Sequence, residues 1–228
     1  MVILSNLIAH RGRDSSLFGE NTLECVMDSI NKSYVSGIEI DVRITRDNRI
    51  VVIHDMTINR TSNGYGFVSK MSFGKLRKYN FGTKDNPSSI CLLRDVLKVI
   101  PSDKVLLIEV KCEICDVDRF VKYFIKCIKS FECDNVYVMS FNNKFISLLK
   151  ERFSSLKCGY LIGSFINSSH ILDNMDFIAI SSYSIGKISD YCKPVFVWAI
   201  NSKGKYLDLY DEFGDSVFYI VDYPFKYI

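Results

Sequence analysis

The chain has 228 residues, a formal net charge of +3 and a hydrophobic fraction of 48%. This length and composition favour one folded domain with a sizeable core and exclude a disordered chain. The small net charge, with lysines spread along the chain, argues against a nucleic-acid partner, since such proteins carry a basic patch or stripe. The oligomeric state is left open.

The chain begins with the apolar run "MVILSNLIAHRG". The run is short, lacks a basic start and a small-residue cleavage site, and is interpreted as a buried strand instead of a signal peptide. No stretch approaches the roughly 20 apolar residues that a membrane-spanning helix needs. We therefore expect a cytoplasmic protein without an integral membrane segment. In that compartment the eight cysteines are expected to be reduced thiols, including the Cys112 and Cys115 pair.

Short β-prone runs alternate with amphipathic segments along the chain. Nine runs are predicted as strands: 5–10, 37–43, 50–54, 104–111, 135–141, 157–162, 177–181, 195–200 and 217–221. Seven segments are predicted as helices: 22–35, 92–100, 117–129, 143–154, 166–175, 184–192 and 203–213. Repeated alternation of strand and helix predicts a parallel sheet and, at this length, an α/β fold of the (β/α)8 TIM-barrel type.

Nine strands are one too many for such a barrel, and the short link "ITRDNR" identifies the extra one. A parallel crossover needs about a dozen residues or more, whereas Asp-Asn sequences are typical of turns. The run 50–54 is therefore predicted to form an antiparallel hairpin with the second strand. A turn centred between Asp47 and Asn48 would place His54 opposite Asp41, and a slip of one residue would change the face.

The segment that follows the hairpin, from about 55 to 91, is rich in Gly, Ser, Asn and Lys and fits neither the helical nor the strand period. It is interpreted as a small insertion after the second strand. Counted with the hairpin strand, the insertion spans about 50–91 of a single domain that covers residues 1–228.

Acidic residues lie at the carboxyl ends of the predicted strands, where the active sites of such barrels form. Glu39 and Asp41 are two positions apart and share a face of one strand, as do Glu109 and Lys111 on the next. Three carboxylates in one barrel mouth repel each other unless a cation compensates, and oxygen ligands suit Mg²⁺ or Ca²⁺. An alternative is that basic side chains neutralise these acids in ion pairs, namely Arg11, Arg43 or Lys111.

Two of the three histidines belong to the same predicted mouth. His10 leaves the first strand, and the hairpin brings His54 to the second. Histidines act as general acid and base near neutral pH, while Arg11 and Lys111 can bind phosphate oxygens. This combination is suited to cleavage of a phosphodiester. Asp55 either orients the imidazole of His54 or simply begins the insertion.

Together these motifs resemble the signature segments of glycerophosphodiester phosphodiesterases. The segments are "AHRG", "ENTLE", "GIEIDVRITRDNRIVVIHD", "NRTSNGYG", "LIEVK", "SF", "VWAIN" and "VDYP", and they extend from residue 8 to 224. The resemblance implies a TIM barrel with a small insertion and an enzyme that releases sn-glycerol 3-phosphate and an alcohol. In that family the glycerol hydroxyl next to the phosphate is thought to attack phosphorus, and water then opens the cyclic intermediate.

The resemblance also implies roles for residues at matching positions. The implied catalytic acid–base pair is His10 and His54; the ligands of one Mg²⁺ or Ca²⁺ ion are Glu39, Asp41 and Glu109; the phosphate and substrate contacts are Arg11, Lys111 and Trp198. The sequence departs from the family pattern at Gly19, which replaces a proline, at Ala199 and Val221, which replace threonines, and at Asp95, which replaces a glutamate. None of these departures falls on an implied ligand or histidine.

Two other functions are compatible with the same sequence. A phospholipase D of the same superfamily, acting on lysophospholipids or sphingomyelin, would need a longer apolar groove at the mouth, such as Tyr65, Phe67 and Met71 of the insertion could form. A non-catalytic barrel that binds phosphodiesters would be marked by the loss of a histidine or a ligand, and neither loss is seen.

Overall fold

A computed structural model describes residues 6–131, 134–163, 174–187 and 192–228. The strands are β1 (Leu7–Ala9), β2 (Gly37–Ile44), β3 (Ile50–Val52), β4 (Val105–Val110), β5 (Val136–Ser140), β6 (Lys157–Ile162), β7 (Phe177–Ser181), β8 (Val195–Ile200) and β9 (Phe218–Val221). All but β3 pair in parallel, and β1 pairs with both β2 and β9, which closes the ring. The predicted (β/α)8 barrel is therefore confirmed.

The helices lie outside the ring of strands. They are α1 (Leu23–Ile30), α2 (Phe73–Leu76), α3 (Leu93–Leu97), α4 (Val117–Ile128), α5 (Asn143–Arg152) and α6 (Lys203–Phe213). The four longest of the described helices begin after a residue whose side-chain oxygen accepts a backbone N–H of the first turn, namely Thr22, Asp116, Asn142 and Ser202. Most of the predicted helix 166–175 lies outside the described residues. Of the predicted helix 184–192, only the 3₁₀ turn Ile185–Lys187 is described as helical.

Alternation along the strands separates two layers of the core. Ile38, Ile40 and Ile108 face outward and pack in one cluster with helices α1, α4 and α5. The intervening positions of β2 and β4 face the barrel interior, where apolar side chains of other strands fill the space. Fully burying each isoleucine contributes roughly 1.5–3 kcal/mol, so the outer layer stabilises the barrel and leaves the inner positions available for polar groups.

None of the helices in the described ranges combines the length and the hydrophobicity that a membrane-spanning helix requires.

The hairpin of β2 and β3 is antiparallel as predicted, but its register differs by one residue from the expectation. Val42 pairs with Val52 and Ile44 with Ile50, so the residue opposite Asp41 is Ile53 and not His54. The reason is that the turn between the two strands has an odd number of residues, among which Asn48 adopts a left-handed conformation with φ +62°. Ile53 donates its N–H to the Asp41 carbonyl and completes the pairing of the two strands. His54 lies one residue beyond this pairing.

The segment between β3 and α3 forms a small unit with its own apolar centre. It contains the 3₁₀ turn Val68–Lys70 and helix α2, and its buried side chains form a cluster separate from the barrel core. The segment returns to the barrel where Val52 donates its N–H to the Cys91 carbonyl at 3.0 Å. The insertion is therefore anchored at both ends to the β3 edge.

Gly19, which stands where the resembling family has proline, lies directly against the insertion. A Cβ atom at this position would overlap the carbonyl oxygen of Phe81 and approach Gly82. Backbone therefore packs on backbone here, and a side chain of any size would push the insertion away from the loop that follows β1. This packing accounts for the departure from the family pattern.

Replacing Gly19 with alanine is expected to lower the free energy of unfolding by about 1–3 kcal/mol, the usual cost of overpacking a close contact. Urea unfolding measures the loss. The matched control is Gly74→Ala in α2, where a Cβ meets nothing within 4 Å, so that variant should be neutral or slightly stabilising. Equal stability of Gly19→Ala and the wild type would show that the contact does not constrain the chain.

The expectation that all cysteines are reduced thiols is wrong for one pair. Cys112 and Cys115 form a disulfide just after β4. The chain bends sharply there and brings the two Cα atoms to 5.6 Å, within the range that a disulfide spans. The other described cysteines, 25, 91, 127, 158 and 192, are free thiols.

Candidate active site

A cavity of about 240 Å³ opens at the carboxyl ends of the barrel strands. One side is polar and is lined by His10, Arg11, Glu39, His54, Glu109, Lys111, Asn201 and Asp222. The other side is apolar and is lined by Met139, Phe141, Leu161, Trp198, Ile200 and Ile220. A larger groove of about 660 Å³ between the insertion and helices α1 and α3 shares no residue with this cavity. The charged groups that carry chemistry therefore meet in the smaller, more enclosed space.

The polar side begins with a tight turn at the end of β1. Arg11 adopts a left-handed conformation with φ +54°, which is uncommon for a residue with a side chain. In this conformation its backbone N–H donates to Glu39 Oε2 at 2.9 Å. Gly12 follows with φ +71° and packs against Val26 of α1, where a Cβ would come within 3.0 Å. The sequence His-Arg-Gly thus brings a main-chain donor to Glu39, and the His10 side chain lies beside the same carboxylate.

Three acidic side chains, Glu39, Asp41 and Glu109, form a buried cluster beneath the cavity. They are 2%, 1% and 8% exposed, and one carboxylate oxygen from each lies within 4.8 Å of the others. Lys111 Nζ is 3.2 Å from Asp41 Oδ1 and 2.5 Å from Glu109 Oε1. Apart from these contacts with Lys111, the two buried oxygens have no hydrogen-bond donor among the described residues.

The cluster carries more negative charge than its basic neighbours compensate. Lys111 contacts two of the acids, and Arg11 Nε lies 3.4 Å from Asp41 Oδ2. Of the other candidate partners, Arg43 pairs with Glu113 outside the cluster. Ion pairs therefore neutralise part of the charge of the cluster, but the three carboxylates face two cations, Arg11 and Lys111. An all-oxygen, buried and incompletely paired donor set fits a hard cation such as Mg²⁺ or Ca²⁺.

The crowding perturbs the acidities of all three side chains. Burial and the neighbouring Asp41 raise the pKa of Glu39 to about 8. The same two causes raise the pKa of Glu109 above its ordinary value. Burial also opposes ionisation of Asp41, but Lys111 and the two histidines hold its pKa below the ordinary value. Among crowded acids a proton retained by one carboxyl limits the repulsion, and the raised pKa values of Glu39 and Glu109 reflect that crowding.

His10 is held by an acid from the last strand. Its Nδ1 lies 2.8 Å from Asp222 Oδ1, and its Nε2 lies 3.9 Å from Glu39 Oε2. Arg13 also donates to Asp222 Oδ1 at 2.7 Å. Burial lowers the pKa of His10, but the hydrogen bond to Asp222 and the charge of Glu39 outweigh it and raise the pKa overall. The pKa of Asp222 itself falls to about 2, because its contacts with His10 and Arg13 outweigh burial.

His54 is held in a similar way by its own neighbour in the chain. Its Nδ1 lies 2.7 Å from Asp55 Oδ1, so Asp55 contacts the imidazole in addition to beginning the insertion. Burial lowers the pKa of His54 below the ordinary value, although the charge of Asp41 opposes this. Because an ionised carboxylate only accepts hydrogen bonds, Nδ1 carries the proton and Nε2 remains the basic nitrogen of the ring.

The remaining predicted contact residues border the same space. Arg11 Nη1 donates to Glu20 Oε1 at 2.9 Å, which fixes the guanidinium beside the acids. Trp198 packs edge-on against Phe141 with ring centroids 5.8 Å apart. The indole Nε1–H of Trp198 is buried and has no acceptor in the described ranges. All the predicted site residues therefore come together, with Asp41 below the cavity and the others on its wall.

Several neighbours of these residues were not predicted as part of the site. Asn21 donates its side-chain amide to Asp41 Oδ2 at 2.9 Å and accepts the Asp41 N–H with its side-chain oxygen. Glu20 precedes it, and Arg60 of the insertion reaches both Glu20 and Asp55. The available signal was their position inside the quoted segments "ENTLE" and "NRTSNGYG". Phe141 follows β5 in the segment "SF" and lines the apolar side of the cavity.

The chain is similar to known proteins over most of its length. The model of the glycerophosphoryl diester phosphodiesterase family matches residues 10–211. A glycerophosphodiester phosphodiesterase of Caldanaerobacter subterraneus subsp. tengcongensis is 30% identical over 211 residues, which are 86% of each chain.

Two solved structures share the fold at lower identity. A phosphodiesterase of Oleispira antarctica, in complex with the product sn-glycerol-3-phosphate, has a TM-score of 0.85 at 22% identity and covers 98% of this chain and 95% of its own. A glycerophosphodiester phosphodiesterase of Thermotoga maritima has a TM-score of 0.71 at 23% identity, with coverages of 96% and 94%. At these identities the likeness supports the barrel fold.

Proposed function

The chain belongs to the glycerophosphoryl diester phosphodiesterase family and is a phosphoric diester hydrolase; from this premise we propose how its site works. The proposed reaction is metal-dependent hydrolysis of a glycerophosphodiester to sn-glycerol 3-phosphate and an alcohol, with His10 and His54 as the acid–base pair. The observation that carries the proposal is the buried acidic cluster, with oxygens within 4.8 Å of one another, beside two histidines that are each held by a carboxylate.

The two sides of the cavity match the two parts of such a substrate. Arg11 and Lys111 offer the charged donors that bind phosphate oxygens. The apolar side, with Trp198 and Phe141, offers a surface for the carbon atoms of the glycerol and the alcohol. The volume of about 240 Å³ suits a small polar molecule. The product that the Oleispira antarctica relative binds, sn-glycerol-3-phosphate, is of this kind.

Glu39, Asp41 and Glu109 are the residues that would hold a divalent cation. When bound, the cation would neutralise charge that develops on the phosphate oxygens. The three side chains would then be ionised, so Glu39, whose pKa burial and Asp41 raise to about 8, would release its proton on binding the cation. Lys111 and the Arg11 guanidinium would remain available to orient the phosphate beside the ion.

The histidine pair divides the two proton transfers that the bond exchange requires. As the glycerol hydroxyl oxygen bonds to phosphorus, one imidazole accepts its proton through Nε2. As the phosphorus–oxygen bond to the alcohol breaks, the other imidazole donates a proton to the leaving oxygen. In a second exchange of the same kind, water adds to phosphorus and opens the cyclic phosphate to sn-glycerol 3-phosphate. Asp222 and Asp55 keep the Nδ1 protons in place, which directs Nε2 of each ring to the reacting atoms.

A lysophospholipase D or sphingomyelinase D activity would require a long apolar groove at the mouth. The insertion residues that could form one do not line the cavity. Met71 is buried in the core of the insertion, whereas Tyr65 and Phe67 are exposed on the surface. We therefore favour small, water-soluble glycerophosphodiesters as substrates over lipids with long chains.

A substrate panel tests this proposal. Glycerophosphocholine, lysophosphatidylcholine and sphingomyelin are each incubated with the protein in Mg²⁺ or Ca²⁺, with and without a chelator. We expect sn-glycerol 3-phosphate and choline from glycerophosphocholine, at least tenfold slower release of choline from the two lipids, and loss of turnover on chelation that added cation restores. Turnover that survives complete chelation would contradict metal dependence, and faster cleavage of a lipid would contradict the substrate class.

A further inference from the structure

Arg60 links the insertion to the candidate active site through two carboxylates. Its Nε and Nη2 donate to Asp55 Oδ2 and Oδ1 at 2.8 and 2.9 Å. Its Nη1 and Nη2 donate to Glu20 Oε2 and Oε1 at 3.1 and 2.7 Å. One guanidinium thus forms two bidentate pairs, an arrangement that fixes both carboxylates in position and orientation.

Each of these carboxylates holds a different residue of the cavity wall. Asp55 Oδ1 lies 2.7 Å from His54 Nδ1, and Glu20 Oε1 accepts from Arg11 Nη1 at 2.9 Å. Arg60 is therefore connected through Asp55 to His54, the proposed acid–base group. It is also connected through Glu20 to Arg11, the proposed phosphate contact. Arg60 touches neither end directly.

The charges support the same arrangement. Hydrogen bonds from Arg60 hold the pKa of Asp55 well below its ordinary value. Burial would raise the pKa of Glu20, but Arg60 and Arg11 hold it below the ordinary value. Both carboxylates therefore remain ionised and accept hydrogen bonds from His54 and Arg11. Without Arg60, Glu20 would keep Arg11 and the more distant Arg13, whose Nη1 lies 3.9 Å from Glu20 Oε2, whereas Asp55 would keep its contact with His54 and lose its arginine partner.

We propose that Arg60 is a positioning residue that orients His54 through Asp55 and Arg11 through Glu20, which makes the insertion a working part of the active site. The role in turnover rests on the proposed function. The role in orienting His54 does not, because it can be observed in the resting protein.

The first test observes the tautomer of His54 by long-range ¹H–¹⁵N NMR. With three histidines in the chain, His54→Ala identifies the signal. We expect the Nδ1–H tautomer in the wild type and a mixture of tautomers in Arg60→Ala. An unchanged tautomer in Arg60→Ala would overturn the proposal whether or not the protein cleaves any tested substrate. Absence of turnover in the wild type would instead overturn the proposed function alone.

The second test uses turnover of glycerophosphocholine. We expect Arg60→Ala to lower kcat/KM by about 10- to 100-fold, the usual cost of removing a group that orients a contacting residue. Asp55→Asn should mainly lower kcat, and Glu20→Gln should mainly raise KM. The matched control is Arg77→Ala, also in the insertion, whose guanidinium stacks over Phe73 and which should retain wild-type kinetics.

Rescue separates positioning from a general loss of structure. The Arg60 side chain is 49% exposed, so its removal leaves a site that solutes can reach. Guanidinium ion, at concentrations far below those that unfold the protein, should restore part of kcat/KM in Arg60→Ala and none in Asp55→Asn, and Arg60→Lys should retain more activity than Arg60→Ala. Wild-type kinetics in Arg60→Ala, or a loss that neither lysine nor guanidinium reverses and that follows the fall in Tm, would overturn the proposal.

Discussion

His54→Ala is expected to lower kcat on glycerophosphocholine by about 10²–10⁴-fold, the range that a general acid or base contributes. The reason is that His54 Nε2 is the proposed site of proton transfer to or from the substrate. The fold should be retained, because the side chain is 33% exposed and its hydrogen bond is to Asp55 at the surface of the cavity. Steady-state kinetics and thermal unfolding of the same sample measure the two effects.

His10→Ala serves as the companion variant. It should lose activity to a similar degree, and the double variant should lose far less than the product of the two single losses, because groups that act as a pair are not additive. Divalent cation binding should persist in His54→Ala, since His54 is not among the acids of the cluster. A variant that lost stability but kept its activity per folded molecule would identify His54 as a packing residue.

Glu39→Gln is expected to raise the concentration of Mg²⁺ or Ca²⁺ needed for half-maximal activity by roughly tenfold or more, because ligand charge sets the affinity for hard cations. Glutamine keeps an oxygen that can accept the Arg11 N–H, so the turn after β1 should be preserved. Calorimetric titration with the metal measures the affinity directly. The matched control is Glu113→Gln, whose carboxylate pairs with Arg43 outside the cluster. Equal metal requirements in the two variants would exclude Glu39 as a ligand.

The same substitution should alter how the stability of the metal-free protein depends on pH. Burial raises the pKa of Glu39 from 4.5 to about 8 in the folded chain, so between these values the folded state binds more protons than the unfolded state. The contribution of Glu39 is full below pH 4.5 and is lost as the pH rises toward 8. Glu39→Gln cannot ionise, and chemical unfolding with chelator present should show a flatter pH profile across this range.

The barrel was predictable from the sequence because its signals are local and repeated. Each strand is a short β-prone run, and "ITRDNR" is too short for a parallel crossover, so the hairpin followed from length alone. The register of that hairpin was not predictable, since an odd or even turn depends on whether Asn48 takes the left-handed conformation. The disulfide of Cys112 and Cys115 was missed because it depends on a bend after β4 that the sequence does not reveal.

The main residues of the site were predictable, whereas the network around them was not. Glu39, Asp41 and Glu109 follow from the alternation of buried strands, which places them in one barrel mouth. The contacts of Arg60 join the insertion to a loop 40 positions earlier in the chain. A pairing of that kind depends on how an irregular segment folds over the barrel, and no periodic pattern encodes it. Sequence reasoning therefore identified the side chains of the cavity but not the groups that orient them.

The junction of β1 and β9 has a consequence for the order of events during folding. His10 and Asp222 are separated by 212 positions, and their hydrogen bond requires the first and last strands to be side by side. Contacts over such distances form late, because a long loop must close before they stabilise the chain. A partly folded barrel can therefore have its acidic cluster in place while one imidazole still lacks its partner. Return of enzymatic activity on refolding would thus report the final closure of the ring, separately from the recovery of helical structure.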